Sequence, residues 1–161
     1  MTEKEYNQCV NLYADNVYRF IVKNIGNKED SRDVVQTAFE KLWVNRERVD
    51  NSRSKSFLFT VAYNQMIDHT RKNKRLTYKE NLDEESRITY QNHSSVKKIL
   101  DEALDRLSET QKSLVLLKDY EGYSYEEIGK ITGLSESQVK VYLHRARLQL
   151  KNYLVRAENV L

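Results

Sequence analysis

The chain has 161 residues, 39% of them apolar, and a formal net charge of +3. That length supports one domain or two small ones. No apolar run is long enough to span a bilayer and the start carries no signal-peptide pattern, so a cytoplasmic protein without membrane insertion is expected. The single cysteine, Cys9, excludes an internal disulfide and a cysteine-based metal cluster, and the mild charge means that any nucleic-acid affinity must come from local patches.

Proline is absent and glycine occurs four times, which leaves long stretches free of helix breakers. An all-α chain follows. The first three helices are expected at 3–25, 29–46 and 54–75. Gly26 and Asn27 separate the first two, and the polar segment Asn45 to Ser56 separates the second from the third. The second helix is amphipathic: Val34, Ala38 and Leu42 recur at fourfold spacing, and acidic residues fill the first turn, where the helix dipole favours them. Asp33, Gln36 and Glu40 lie on another, polar side, with Phe39 and Trp43 near the edge. Two readings stay open for that edge. Either the aromatics are core and the carboxylates solvated, or the face docks a protein partner.

The third helix has an aromatic start, Phe57-Leu-Phe, and a basic end, Arg71-Lys-Asn-Lys-Arg75. Aromatic rings stack on unpaired bases while cationic side chains track a backbone, so this pattern suits a single nucleic-acid strand. The plainer alternative is a core-facing set of Phe and Leu with a cationic last turn that complements the helix dipole. Beyond it, Glu80, Asp83, Glu84 and Glu85 stand in a weakly apolar stretch. Too little apolar surface is available there to offset ordering entropy, so a flexible acidic linker is expected over 77–94. It would join a first helical domain, 1–76, to a second, 95–161.

Four helices are expected in the second domain, at 94–107, 109–119, 124–132 and 135–155. Ser108 with Gln111, Ser124 with Glu127 and Ser135 with Gln138 each form the pattern in which a hydroxyl and a carboxylate or carboxamide satisfy orphan donors at a helix start. Gly133 can end the sixth helix in the left-handed conformation, with Leu134 packing under the turn. A tight connection between two short helices is the arrangement of a helix-turn-helix. In its second helix Val139, Leu143, Ala146 and Leu150 make an apolar face. The opposite face presents Gln138, Lys140, Val141, His144, Arg145 and Arg147. Arg and Lys pair with guanine acceptors, Gln with adenine, and an aliphatic group with a thymine methyl; others hold phosphates. A solvated antiparallel helix pair would share the same basic surface.

An enzyme is disfavoured. His69, His93 and His144 lack metal-ligand spacing, no Ser-His-Asp or Cys-His set is formed, and the adjacent Glu126 and Glu127 project in different directions on a helix. Neither catalytic residue, metal nor cofactor is expected. The competing assignment is a free-standing helix-turn-helix regulator with an N-terminal effector or dimerisation domain.

Taken in order, these segments resemble an extracytoplasmic-function (ECF) sigma factor of bacterial RNA polymerase. Asp30-Ser-Arg-Asp-Val-Val-Gln to Leu42-Trp43 resembles the family's polymerase-binding helix. Phe57-Leu-Phe-Thr-Val-Ala-Tyr-Asn through Asp68 and Arg71-Lys72 resembles its promoter-melting, minus-10-reading helix. Ala103-Leu-Asp-Arg-Leu-Ser-Glu-Thr-Gln to Tyr123-Ser-Tyr-Glu-Glu-Ile, with Val139-Lys and Arg145-Ala-Arg, resembles its minus-35-reading domain. Three motifs in order, spanning nearly the whole chain, are specific where each alone is common.

The resemblance implies a mechanism. The first domain would dock on the clamp helices of the largest polymerase subunit through Asp33, Gln36, Phe39 and Trp43. The Asn45–Ser56 loop would capture a flipped minus-10 base, with Arg53, Lys55, Phe57, Tyr63, Asn64, Arg71 and Lys72 on the opened strand. The second domain would read the minus-35 duplex through Gln138, Lys140, Val141, His144, Arg145 and Arg147 and meet the flap of the second-largest subunit. The acidic linker would enter the polymerase's basic nucleic-acid channel. An anti-sigma factor is a further partner common in the family. Departures from the family pattern are Ser108 for a usual proline, Gly129 for alanine, Gln138 for threonine, Phe57 for tryptophan, and Tyr63 for a basic residue.

Overall fold

The computed structural model describes residues 1–80 and 95–160, and among these it contains seven helices and no strand. They are α1 (Glu3–Ile25), α2 (Lys28–Val44), α3 (Ser54–Glu80), α4 (Ser95–Asp105), α5 (Glu109–Val115), α6 (Tyr125–Thr132) and α7 (Glu136–Val160). The all-α class expected from the missing helix breakers is what the chain adopts. Helix α3 runs on to Glu80, so residues 77–80 extend a helix where the acidic linker was expected to begin. Residues 81–94 of that linker lie outside the described residues.

The described residues pack into two units. In the first, α1, α2 and α3 pack on one another. Thr2 caps α1 reciprocally with Glu5, and Gly26 ends it at φ 76°, its N–H donating to Val22 O at 2.8 Å. Asn27 then caps α2 by accepting the Asp30 N–H at 3.0 Å. Val34, Ala38 and Leu42 are buried, as are Phe20, Ile21, Leu58, Phe59, Ala62 and Met66 from the flanking helices. The rings of Phe20 and Phe59 meet at 5.5 Å. Each fully buried aliphatic or phenyl side chain contributes roughly 1.5–3 kcal/mol. Cys9 is 1% exposed, and burial pushes its thiol pKa up. It is one more small apolar side chain of α1.

In the second unit α7 packs against α5 and α4. Helix α5 starts at a complete Ser108–Gln111 capping box, with both bonds at 3.2 Å. Leu114 and Val115 at its end, with Leu116 and Leu117 just after, are four consecutive buried apolar residues. Four successive residues point around nearly the whole circumference of an α-helix, so α5 must be enclosed. The stretch that follows α5, Leu116–Tyr120, widens into a π turn closed by the Glu121 N–H to Leu116 O bond at 3.0 Å. No cap, glycine or proline within Leu116–Tyr120 marks that turn in the local sequence.

Candidate nucleic-acid interface

Helices α6 and α7 form the expected helix-turn-helix. Ser124 accepts the Glu127 N–H at 3.2 Å, and Gly133 ends α6 at φ 81° with its N–H on Gly129 O at 2.8 Å. Ser135 and Gln138 form a complete capping box at 3.0 and 3.1 Å. Val139, Leu143 and Ala146 are buried, while Leu150 is half-buried. That orientation leaves Gln138, Lys140, Val141, His144, Arg145 and Arg147 exposed on the other side of α7.

Exposure alone does not make these six equivalent. Gln138 Oε1 accepts the Ser135 N–H, which holds its exposed side chain back toward the start of α7. Lys140 lies 3.5 Å from Glu136 and 5.5 Å over the Tyr125 ring. Arg147 is held by Asp119 through two bonds, Nη2 to Oδ1 at 2.6 Å and Nε to Oδ2 at 3.3 Å. Those bonds raise the guanidinium pKa further above its ordinary value. Val141, His144 and Arg145 sit on the open part of the face, and Val141 is an exposed aliphatic group.

Two residues join this surface that motif reading did not single out. Lys118, in the π turn, lies 4.6 Å from the centre of the Tyr125 ring, whose position at the start of α6 also brings it near Lys140. Two cations and an aromatic ring thus flank the recognition helix. The local signal available was Tyr125 beside the Ser124 cap; Lys118 carried none, because its direction depends on the π turn.

In the first unit, the polar side of α2 is exposed at Asp33, Gln36 and Glu40, and Gln36 Nε2 donates to Glu40 Oε1 at 3.2 Å. The two aromatics at its edge part company. Phe39 is 9% exposed, whereas Trp43 is 37% exposed. Arg46 stacks 3.9 Å from the Trp43 centroid and the Tyr6 ring meets it edge-on at 4.9 Å. The Tyr6 hydroxyl donates to Phe39 O at 3.1 Å. Phe39 therefore supports the face from beneath, and the tryptophan is the aromatic that a partner can touch.

On α3, Asn64, Arg71 and Lys72 are exposed, Phe57 is half-buried, and Asp68 continues the same stripe. Tyr63 is 8% exposed; it faces the packed interior and is not on that stripe, which corrects its expected place on the strand-binding surface. Arg53, in a short 3-10 turn (Asn51–Arg53), is exposed, and half-buried Lys55 lies 5.9 Å over Tyr13. Between α2 and α3 a groove of about 170 Å³ is lined by Asp33, Gln65, Asp68 and Lys72 among others. At its wall His69 Nε2 is 3.0 Å from Asp30 Oδ2.

A family model described as Sigma-70 region 2 matches residues 9–76, and one described as Sigma-70, region 4 matches residues 97–150. The RNA polymerase sigma factor SigV of Bacillus subtilis is 30% identical over 149 residues, which cover 88% of this chain and 89% of that one. The ECF RNA polymerase sigma factor SigE of Mycolicibacterium smegmatis is 28% identical over 159 residues; the match takes in 94% of this chain and 62% of that protein's length. Among solved structures, the sigma factor RpoE of Bartonella quintana, in complex with the anti-sigma factor NepR, superposes with a TM-score of 0.80 at 24% identity over 94% of this chain and 97% of that one.

Proposed function

The chain belongs to the extracytoplasmic-function sigma factors, and from that membership we propose that it directs core RNA polymerase to promoters by reading a minus-35 duplex and holding the melted minus-10 strand. Sigma factors act in transcription initiation and carry out no chemistry of their own. Domain 1–76 would dock on the clamp helices of the largest subunit through Asp33, Gln36 and Trp43, with Phe39 beneath them. The Asn45–Ser56 loop would take a flipped base. Arg53, Lys55, Phe57, Asn64, Arg71 and Lys72 would hold the opened strand, offsetting a melting cost of a few kcal/mol per unstacked step.

Domain 95–161 would read the minus-35 element with Lys140, Val141, His144 and Arg145, and Lys118 would meet a phosphate beside them. The same domain would meet the flap of the second-largest subunit, and residues 77–94 would connect the two. An anti-sigma factor belongs in the proposal as the partner that would cover these faces in the repressed state.

The observation that carries this reading is the exposed Lys140–Val141–His144–Arg145 face of α7, turned outward by the burial of Val139, Leu143 and Ala146. Transcription in vitro with core polymerase and a diverse promoter library tests it. The wild-type chain should start transcription at a restricted set of promoters. Arg145→Ala should weaken promoter complexes by roughly 1–3 kcal/mol and relax the preference at one minus-35 position. No initiation anywhere in the library would refute the proposal.

A further inference from the structure

Between Leu143 and the half-buried Leu150, the one buried side chain of α7 is Ala146. A methyl group fixes the distance of a helix from its neighbour but restrains its rotation weakly. That is the stretch in which His144 and Arg145 must be aimed. On the same stretch Arg147 reaches the π turn at the end of α5 and binds both oxygens of Asp119, at 2.6 and 3.3 Å.

The two-point geometry matters because a planar guanidinium on both carboxylate oxygens fixes direction as well as distance. The π turn matters because it adds a residue to the helical repeat just before Asp119. With that residue, Lys118 lies over Tyr125 and Asp119 meets Arg147, while Leu116 and Leu117 remain buried. Without it, the positions after Leu117 would rotate away from α7. Arg147 also has two of its donor groups engaged by Asp119, so it is not a free cation awaiting a phosphate.

We infer that Asp119 and Arg147 form a positioning pair that sets the rotation of the recognition helix against the π turn, and that Arg147 tunes minus-35 discrimination through His144 and Arg145 without itself reading DNA. This rests on the proposed promoter-reading role of α7.

The experiment uses holoenzyme assembled with the full chain. Affinity is measured for a promoter the wild type selects and for the same promoter with one minus-35 base pair changed, over a salt series. The variants are Asp119→Asn, Arg147→Gln and the double variant, each checked by thermal unfolding. The inference expects each single variant to lose discrimination about threefold or more, the double variant to lose no more than either, and the salt slope to stay unchanged. The exchanged pair, Asp119→Arg with Arg147→Asp, should recover part of the loss and guards against simple misfolding.

A different pattern overturns it. If Arg147 met a phosphate or base, Arg147→Gln alone would lose affinity, with the salt slope falling by about one for a phosphate, and Asp119→Asn would bind as well as wild type or better. Additive losses, or no loss in either single variant, would equally overturn the pair. Failure of the wild-type holoenzyme to form any promoter complex would instead strike the sigma-factor mechanism beneath it.

Discussion

At Gly129 a methyl group would stand 2.8 Å from the carbonyl oxygen of Leu134, closer than a side-chain carbon can approach backbone. The family's usual alanine therefore does not fit this turn as it stands. Gly129→Ala should gain about 1 kcal/mol of helix propensity and lose about 1–3 kcal/mol to overpacking, so a net drop in thermal unfolding midpoint is expected; an unchanged or raised midpoint would show that the turn relaxes freely. Gly133, three residues before Glu136 opens α7, is glycine for a different reason, its φ of 81°. The contrast separates what a motif displays from what it conceals. The left-handed end at Gly133 was legible from sequence, whereas the tight approach at Gly129 depends on where Leu134 O lies after the turn closes. Tyr63 belongs with the concealed cases: adjacent to the exposed Asn64, it is turned inward by a helical rotation that three core neighbours, Phe59, Ala62 and Met66, impose.

At the scale of the element, α2 resolves a choice that periodicity left open. Phe39 and Trp43 stand one turn apart on one edge, yet Phe39 is enclosed beneath Tyr6 and Trp43 is flanked by Arg46 and Tyr6 with part of its ring open. The two substitutions should therefore separate stability from docking. Phe39→Ala is expected to cost about 3–5 kcal/mol of folding free energy. Trp43→Ala should leave most of that stability and weaken binding to core polymerase by about 2 kcal/mol or more, as truncation of a buried interface aromatic does. Denaturant unfolding and a polymerase pull-down titration measure the two; equal losses of stability in both variants would contradict the division. Helix α5 teaches the complementary point. Its Ser108 cap was readable because capping is local, but the π turn that aims Lys118 and Asp119 carries no such local marker.

For the whole molecule, the small excess of 27 basic over 24 acidic residues sets what the chain can do by itself. A free DNA-binding regulator relies on several phosphate contacts, each of which steepens the dependence on salt. A subunit of polymerase shares that burden with its partner. Isolated protein should accordingly bind promoter duplex weakly and salt-sensitively, whereas holoenzyme should open it specifically; an electrophoretic shift with and without core polymerase compares them. Tight, promoter-specific duplex binding by a dimer without polymerase would favour a free-standing regulator instead. Sequence by itself determined the all-helical class, the paired helical units, the capped helix-turn-helix and the amphipathic sides of α2 and α7, because helix breakers, caps and apolar spacing act within a few residues. Only tertiary structure decided that Phe39 and Tyr63 turn inward, and that Arg147 is tied to Asp119 while Lys118 and Tyr125 join the basic face. Those outcomes depend on partners brought together from distant or non-repeating positions, where enclosure and directional bonding, not spacing along the chain, select the side-chain orientation.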